Sequence, residues 1–204
     1  MADGIVIQEA ATRALRNGMS LHILFEQLRD IRSDVRIPLI LMGYLNPIMK
    51  FGFEAFCQKC VECGIDGVII PDLPFKDYEE TYKPIADRYD IRVIMLITPE
   101  TSEARVREID EHTDGFIYMV SSAATTGAQK DFDSQKQAYF KKIQDMHLRN
   151  PRMVGFGISN KQTFDAACAN SSGAIIGSRF VTLLNEAEGD AEKAITQLKE
   201  GLKK

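Results

Sequence analysis

The chain has 204 residues, 45% of them hydrophobic and 26% charged, and a net charge of −4. A chain of this size and apolar content can bury one good core, so we expect a single domain over residues 1–204. Acidic and basic residues are interleaved, with neither a basic stripe that would favour nucleic acid nor a polybasic segment that would favour a membrane. The first residues lack a signal-peptide pattern, and no apolar run approaches the ~20 residues that span a bilayer, which predicts a cytoplasmic protein.

The chain opens on a helical pattern, IVIQEAATRALRNG, with no strand before it. Short, nearly continuous apolar runs then recur, as expected for strands buried on both faces. Their positions are 37–42, 66–71, 91–97, 115–120, 152–157 and 173–178. Helical patterns lie between them, for example SLHILFEQLRDIR and SEARVREIDEHT. This alternation predicts a parallel sheet with crossover helices.

Six strand–helix units leave two architectures open. A doubly wound sheet can close with six strands, whereas a (β/α)8 barrel needs eight. In a barrel, two further strands would have to lie upstream of the first helix. Composition and periodicity do not choose between the two.

Three cysteines at positions 57, 60 and 63 lie within the amphipathic pattern FEAFCQKCVECG. On a helix, steps of three place these thiols on one broad face together with Phe56 and Val61. No second Cys pair or His cluster is present to complete a zinc site. We therefore interpret them as buried helix thiols and expect no metal site.

Two small-residue turns follow the last two predicted strands. In GFGISNKQTF, Gly157 ends a strand, and Ser159 or Asn160 could cap the next helix. Gly177 and Ser178 repeat the design in the next unit. These glycines could simply make tight turns. Their occurrence in two consecutive final units favours a phosphate site, held by backbone N–H groups and helix dipoles without a basic side chain.

A longer segment, SSAATTGAQKDFDSQKQ (121–137), follows the fourth predicted strand, at 115–120. It is small, polar and without periodicity, so we predict a loop over the whole segment. Such loops at strand carboxyl ends are often lids over active sites, and they can also be plain surface excursions.

These motifs, in this order, resemble the tryptophan synthase alpha subunit over the whole chain. The resemblance rests on ADGIVIQEAATRALRNG, LMGYLNPIMKFG, DGVIIPDLP, SSAATTGA, GFGIS and IIGS. It implies a (β/α)8 TIM barrel with only about six of its eight units in these 204 residues. Many relatives carry Gly where Ala124 stands and a smaller residue where Arg179 stands.

The family cleaves indole-3-glycerol phosphate to indole and glyceraldehyde 3-phosphate in tryptophan biosynthesis, a retro-aldol lyase reaction. The resemblance implies no cofactor in this chain, and a β subunit partner carrying pyridoxal phosphate in an α2β2 heterotetramer. One carboxylic acid acts as general acid and base, and a second carboxylate faces the indole nitrogen.

By resemblance, Asp3 is the second carboxylate. The first is a Glu in a family segment of the form E-x-G-x-P-x-S-D-P, and nothing of this form occurs in the sequence. Glu9 and Glu26 do not replace it, because both lie on predicted helices. We therefore expect an N-terminally truncated chain with impaired activity.

The remaining family positions carry over one by one. Tyr118 is expected in the substrate pocket, together with Thr126 and Gly127 of the loop. Gly157, Gly177 and Ser178 are expected to bind the phosphate. Asn46 and Pro74, on loops at the same end of the barrel, are expected to face the β subunit.

Two alternatives stay open beside this interpretation. Another phosphate-binding barrel would need Lys, His or metal ligands at its strand ends, where this chain offers Asp72, Thr98 and Ser121 with the two glycines. A non-catalytic phosphate-binding module that binds or activates a β subunit is the alternative from another functional class.

Overall fold

A computed structural model describes residues 4–121, 129–155 and 157–203; for residues 129–134 the description covers the backbone alone. The strands are β1 (Ile40–Met42), β2 (Gly67–Ile69), β3 (Arg92–Ile94), β4 (Leu96–Ile97), β5 (Ile117–Val120), β6 (Arg152–Gly155) and β7 (Gly173–Ala174). Each lies within one of the apolar runs from which strands were predicted.

At least one helix lies between successive strands, except between β3 and β4. They are α1 (Ile5–Arg16), α2 (Leu21–Leu28), α3 (Leu45–Phe51), α4 (Phe53–Glu62), α5 (Phe75–Asp77), α6 (Lys83–Arg88), α7 (Glu103–His112), α8 (Gln129–Asp145), α9 (Lys161–Cys168), α10 (Ser178–Glu186) and α11 (Ala191–Gly201). A π-helical turn at Tyr78–Tyr82 joins α5 to α6, and a short 3-10 turn at Ile31–Ser33 follows α2. Among the described helices, none is long and apolar enough to cross a membrane.

All strand pairs are parallel, and the strands are added in sequence order. One sheet has the order β1-β2-β3 and the other β4-β5-β6-β7. A doubly wound sheet reverses its strand order at a switch point, whereas a barrel adds each strand beside the one before it. The observed strand order is therefore that of a barrel and not of a doubly wound sheet.

The two sheets divide within a single predicted strand. The apolar run 91–97 forms both β3 and β4, with Met95 between them. The Met95 carbonyl still accepts a hydrogen bond from the Tyr118 N–H of β5, at 3.0 Å. The run thus turns from one sheet into the other while its backbone remains paired.

Strands β2 and β5 are buried on both faces, as their continuous apolar character predicts, whereas β1 carries exposed residues. On the outer face, Val68, Val93 and Met119 join a large cluster with the helix side chains of Phe56 and Val106. On the inner face, Ile69, Ile94, Tyr118 and Val120 form a second cluster. The alternation of side chains along a strand separates the two sets.

The helix thiols lie where the sequence predicted them. Cys57 and Cys60 on α4 are fully buried and Cys63 nearly so, whereas Val61, at the edge of this stripe, is exposed. Burial, reinforced by the neighbouring Glu54 carboxylate, raises the pKa of the Cys57 thiol to about 11. Within the described part of the chain, no cluster of His, Cys, Asp and Glu is placed to hold a metal ion.

The loop predicted over 121–137 is shorter than expected. Helix α8 begins at Gln129, so the prediction was wrong for residues 129–137. The first turns of this helix carry mostly polar residues, and its buried apolar stripe of Tyr139, Phe140 and Ile143 begins only later. The start of α8 could therefore not be recognised from apolar periodicity in the sequence. Residues 122–128 lie outside the described residues.

Among the described strands, β3 and β4 are the terminal strands that adjoin at Met95, and β1 and β7 are the two outer edges, each paired on one side. Helix α1 packs against α10 beside β7, and Arg13 donates a 2.8 Å hydrogen bond to Asn185. None of the α1 residues is buried. The fold is thus an open barrel wall with outer edges at β1 and β7, and α1 packs against the helix that follows β7.

Candidate active site at the carboxyl ends of the strands

A cavity of about 890 Å³ is lined by residues of α1, of the edge strand β1 and of the segment that follows the edge strand β7, which places it at the open side of the wall. Its walls come from α1 and α2, from β1 and β2, and from the loops that follow β1, β6 and β7. The carboxyl ends of parallel strands meet at one end of a barrel, which is where barrel enzymes place their active sites. The cavity therefore lies where a substrate site is expected.

The walls of the cavity are mostly apolar. Ile7 and Leu15 of α1, Leu24 of α2, Met42 of β1 and Ile69 of β2 all line it. Among the described residues that line it, Arg179 alone carries a charge, and none carries a carboxylate. Such a site suits a ligand with a large apolar portion and polar groups at one end.

Tyr118 lies on the inner face of β5, is 4% exposed and lines the cavity. Its position depends on Gly155 of the adjacent strand β6. Tyr118 is paired with Met153, and Gly155 lies two residues further along on the same face. A Cβ on Gly155 would overlap the Tyr118 hydroxyl and ring. The first glycine of GFGIS thus makes room for this ring.

The second glycine of the motif is needed for a different reason, its backbone conformation. Gly157 has φ +78°, a left-handed conformation that disfavours any side chain. It lines the cavity with Ile158 and Ser159. Asn160 caps α9 in a capping box with Thr163, whose backbone N–H donates to the Asn160 side chain at 2.9 Å. Of the two predicted caps, the structure selects Asn160.

Gly177 and Ser178 line the same cavity, at the start of α10. Gly177 is the N-cap residue, without a side-chain cap, and a Cβ there would meet nothing within 4 Å. The first backbone N–H groups of α10 are therefore available to an oxyanion. The structure brings both predicted phosphate turns, and Tyr118, to one cavity.

Asn46 and Pro74 are exposed and lie after neighbouring strands β1 and β2. Asn46 lies in the first turn of α3 instead of in a loop, and Pro74 is the N-cap of α5. The Leu45 N–H donates to the Asp72 carboxylate at 2.8 Å and thereby joins the two segments. Only two residues separate the end of β1 at Met42 from the start of α3 at Leu45, so Asn46 is already helical.

Three predicted site residues, Asp3, Thr126 and Gly127, lie outside the described residues. Gly4, which follows Asp3 in the sequence, lines the cavity. Glu9 and Glu26 lie on α1 and α2, as expected, and neither lines the cavity.

Two basic residues beside the glycine turns were missed as site residues. Arg179 lines the cavity from α10. The Lys136 ammonium of α8 lies 4.0 Å from the position that a Cβ on Gly157 would take. Arg179 follows Ser178 directly, so its place in a helix N-terminal turn was a usable signal. Lys136 gave none, because its segment has no helical periodicity.

Comparison with known proteins agrees with this geometry. The family model described as tryptophan synthase alpha chain matches residues 1–204. A tryptophan synthase alpha chain of Bacteroides fragilis is 80% identical over 199 residues, which are 98% of this chain and 75% of that protein. The alpha chain of Bacteroides thetaiotaomicron is 79% identical over 203 residues, which are 100% of this chain and 79% of that protein.

Solved structures show the same fold. A mutant tryptophan synthase alpha-subunit from Pyrococcus furiosus is similar with a TM-score of 0.86 and 30% identity, covering 99% of this chain and 81% of that one. A chain of the tryptophan synthase complex from the same organism has a TM-score of 0.84 and 28% identity, with the same two coverages. The fold is therefore a partial (β/α)8 barrel, and the chain belongs to the tryptophan synthase alpha chain family.

Proposed function

We propose that the cavity binds indole-3-glycerol phosphate and that the site serves its retro-aldol cleavage to indole and glyceraldehyde 3-phosphate. The observation that carries this proposal is that the cavity combines apolar walls with two glycine turns. Apolar walls from α1, α2 and β1 suit an indole ring, and the turns at Gly157 and at Gly177–Ser178 suit a phosphate. Tyr118 adds an aromatic side chain to the cavity lining.

The proposed reaction breaks the bond between indole C3 and the adjoining glycerol carbon. The ring carbon first gains a proton, and the indole nitrogen then bears positive charge that a carboxylate stabilises. Loss of a proton from the neighbouring glycerol hydroxyl forms the aldehyde as the carbon–carbon bond breaks. We assign the nitrogen-facing carboxylate to Asp3, and we place Tyr118, Thr126 and Gly127 in the substrate pocket.

These proton transfers require no cofactor in this chain. We propose that the indole passes to a tryptophan synthase β subunit, which carries pyridoxal phosphate, in an α2β2 assembly. The exposed Asn46 and Pro74, on segments joined by the Leu45–Asp72 hydrogen bond, form part of the proposed contact surface. The similarity to a chain of the Pyrococcus furiosus tryptophan synthase complex supports such a partner.

We expect a polypeptide of these 204 residues to cleave the substrate poorly, because it contains no segment of the form E-x-G-x-P-x-S-D-P. Loss of a positioned acid–base group costs ~10²–10⁴-fold in rate. The test measures indole release from indole-3-glycerol phosphate with and without a β subunit. A chain extended upstream with the family segment should regain activity, and Asp3→Asn in that chain should remove most of it.

Near-normal turnover by the 204-residue polypeptide would contradict the assignment of the missing Glu. The alternative function is a non-catalytic phosphate-binding module that binds or activates a β subunit. That function is favoured if the extended chain remains inactive in cleavage but raises the turnover of the β subunit when the two are mixed.

The proposed phosphate turns can be tested separately from catalysis. Gly177→Val should abolish binding of glycerol 3-phosphate, measured by calorimetry, and leave the unfolding midpoint unchanged, because a Cβ there meets nothing within 4 Å. Gly201→Val, also in open space but at the end of α11, is the matched control. Unchanged affinity in Gly177→Val would return this glycine to the role of a plain turn. Gly157→Val is less informative, because φ +78° adds backbone strain.

A further inference from the structure

We propose that Arg179 binds the phosphate of the substrate and selects phosphorylated over unphosphorylated ligands. This inference rests on the proposed function, because it assigns a further binding residue to that same cavity. It differs from the sequence-based expectation, in which backbone amides and helix dipoles hold the phosphate without a basic side chain.

The first observation is the position of Arg179 on its helix. It is the second residue of α10, after the N-cap Gly177, and the first turn of that helix contains no acidic residue. The first backbone hydrogen bond there runs from the Val181 N–H to the Gly177 carbonyl, at 3.1 Å. The preceding N–H groups point out of the helix end, so positive partial charge is concentrated beside a cationic side chain.

The second observation is the lack of a counter-charge. Arg179 is half-buried and lines a mostly apolar cavity. Among the described residues its side chain makes no ion pair or hydrogen bond, whereas Arg32, Arg88 and Arg149 each pair with a carboxylate. A cation at a helix N-terminus is unfavourable with respect to the helix dipole. A bound dianion would offset both the dipole and the partial desolvation of the guanidinium.

The third observation is a second cation near the glycine turns. The Lys136 ammonium lies 4.0 Å from the position of a Cβ on Gly157, and Gly157 lines the same cavity as Arg179. Helix α10 therefore brings a basic residue into the cavity lining, and α8 brings a second one close to Gly157. Two positive charges match the dianionic form of a phosphate monoester, and a neutral glycerol chain offers them no partner.

The test is calorimetric titration of the full chain with glycerol 3-phosphate, inorganic phosphate and glycerol. Arg179→Gln should weaken binding of both phosphate ligands by roughly 10- to 100-fold, the range for a hydrogen bond to a charged group. Arg179→Lys should retain an intermediate affinity, since it keeps the charge but loses the planar fork. Arg36→Gln is the matched control, because it removes an exposed charge outside the cavity lining.

The outcomes separate this inference from the proposed function. If the unaltered chain binds glycerol 3-phosphate and Arg179→Gln binds it equally well, the role of Arg179 is overturned and the proposed phosphate site stands. If the unaltered chain binds neither phosphate ligand, both proposals fail. A Lys variant as weak as the Gln variant, with both variants folded by circular dichroism, would support the inference and show that the planar guanidinium, and not charge alone, binds the phosphate.

Discussion

At the scale of single residues, Gly155 and Tyr118 show how a cross-strand neighbour determines a cavity wall. Tyr118 is nearly fully buried, and its ring occupies the space where a side chain on Gly155 would begin. The pair lies on the inner face of the barrel, between adjacent strands β5 and β6. A change at Gly155 is therefore transmitted to the cavity through the tyrosine.

We expect Gly155→Ala to lower the free energy of unfolding by about 1–3 kcal/mol, the usual cost of overpacking a core. Urea-induced unfolding measures the change. Gly43→Ala is the matched control, because a Cβ at this glycine, after strand β1, meets nothing within 4 Å. The loss should shrink in a Tyr118→Leu background, since the overlap is with the ring. Equal effects of Gly155→Ala and Gly43→Ala would contradict this account.

The sequence predicted the two glycine turns because their signal is a local pattern. The turns at Gly157, Gly177 and Ser178 follow directly from small residues between a strand and a helix, and the structure brings them together. The requirement for glycine at position 155 could not be predicted, because it depends on Tyr118 of the adjacent strand. The position of Lys136 near Gly157 could not be predicted either, because it depends on how helix α8 packs in the folded chain.

At the scale of elements, Asp66 fixes the segment between α2 and β1 to the start of β2. Its carboxylate accepts a 2.7 Å hydrogen bond from the Leu39 N–H and pairs with Arg32. Arg32 also donates to the Gly64 carbonyl at 2.7 Å and to the Ile37 carbonyl at 2.6 Å. The Leu39 N–H, followed by the Arg32 side chain, holds the pKa of Asp66 below its ordinary value of 3.8.

We expect Asp66→Asn to lower stability at neutral pH by no more than about 1 kcal/mol, since the Arg32 pair is partly exposed. The native pKa of Asp66 is depressed, so its contribution is complete above the unfolded value and is lost as pH falls through the native pKa. The stability difference between the two chains should therefore shrink from about pH 5 downward. A difference that stays constant with pH would show that the carboxylate charge is not responsible.

The elements also show the limits of periodicity. All six apolar runs contain strands, and the buried thiols of α4 follow from their spacing. The break at Met95 is not visible in the run 91–97, because both halves are apolar and buried. The bend becomes apparent only when β5 pairs with Met95 and β4. The choice between a doubly wound sheet and a barrel likewise required the strand order.

At the scale of the whole molecule, the open side of the barrel combines two features. The edge strand β1 carries Ile40 and Met42, which are 37% and 48% exposed, and Ile37 just before it is 70% exposed. The cavity lies on the same side, under α1. Unpaired edges with exposed apolar side chains favour pairing with another chain, and closed barrels avoid this by leaving no edge. That residues 1–204 fold as one domain stays a prediction.

We therefore predict that the 204-residue chain self-associates through β1. Ile40→Lys should shift sedimentation at a given concentration toward the monomer, because a lysine on an edge strand opposes further strand pairing. Ile195→Lys is the matched control, since Ile195 is 41% exposed but lies on helix α11, away from the edge. If both substitutions reduce association equally, general solubility and not the β1 edge is the cause. If the unaltered chain is monomeric over the whole concentration range, the exposed edge does not drive assembly.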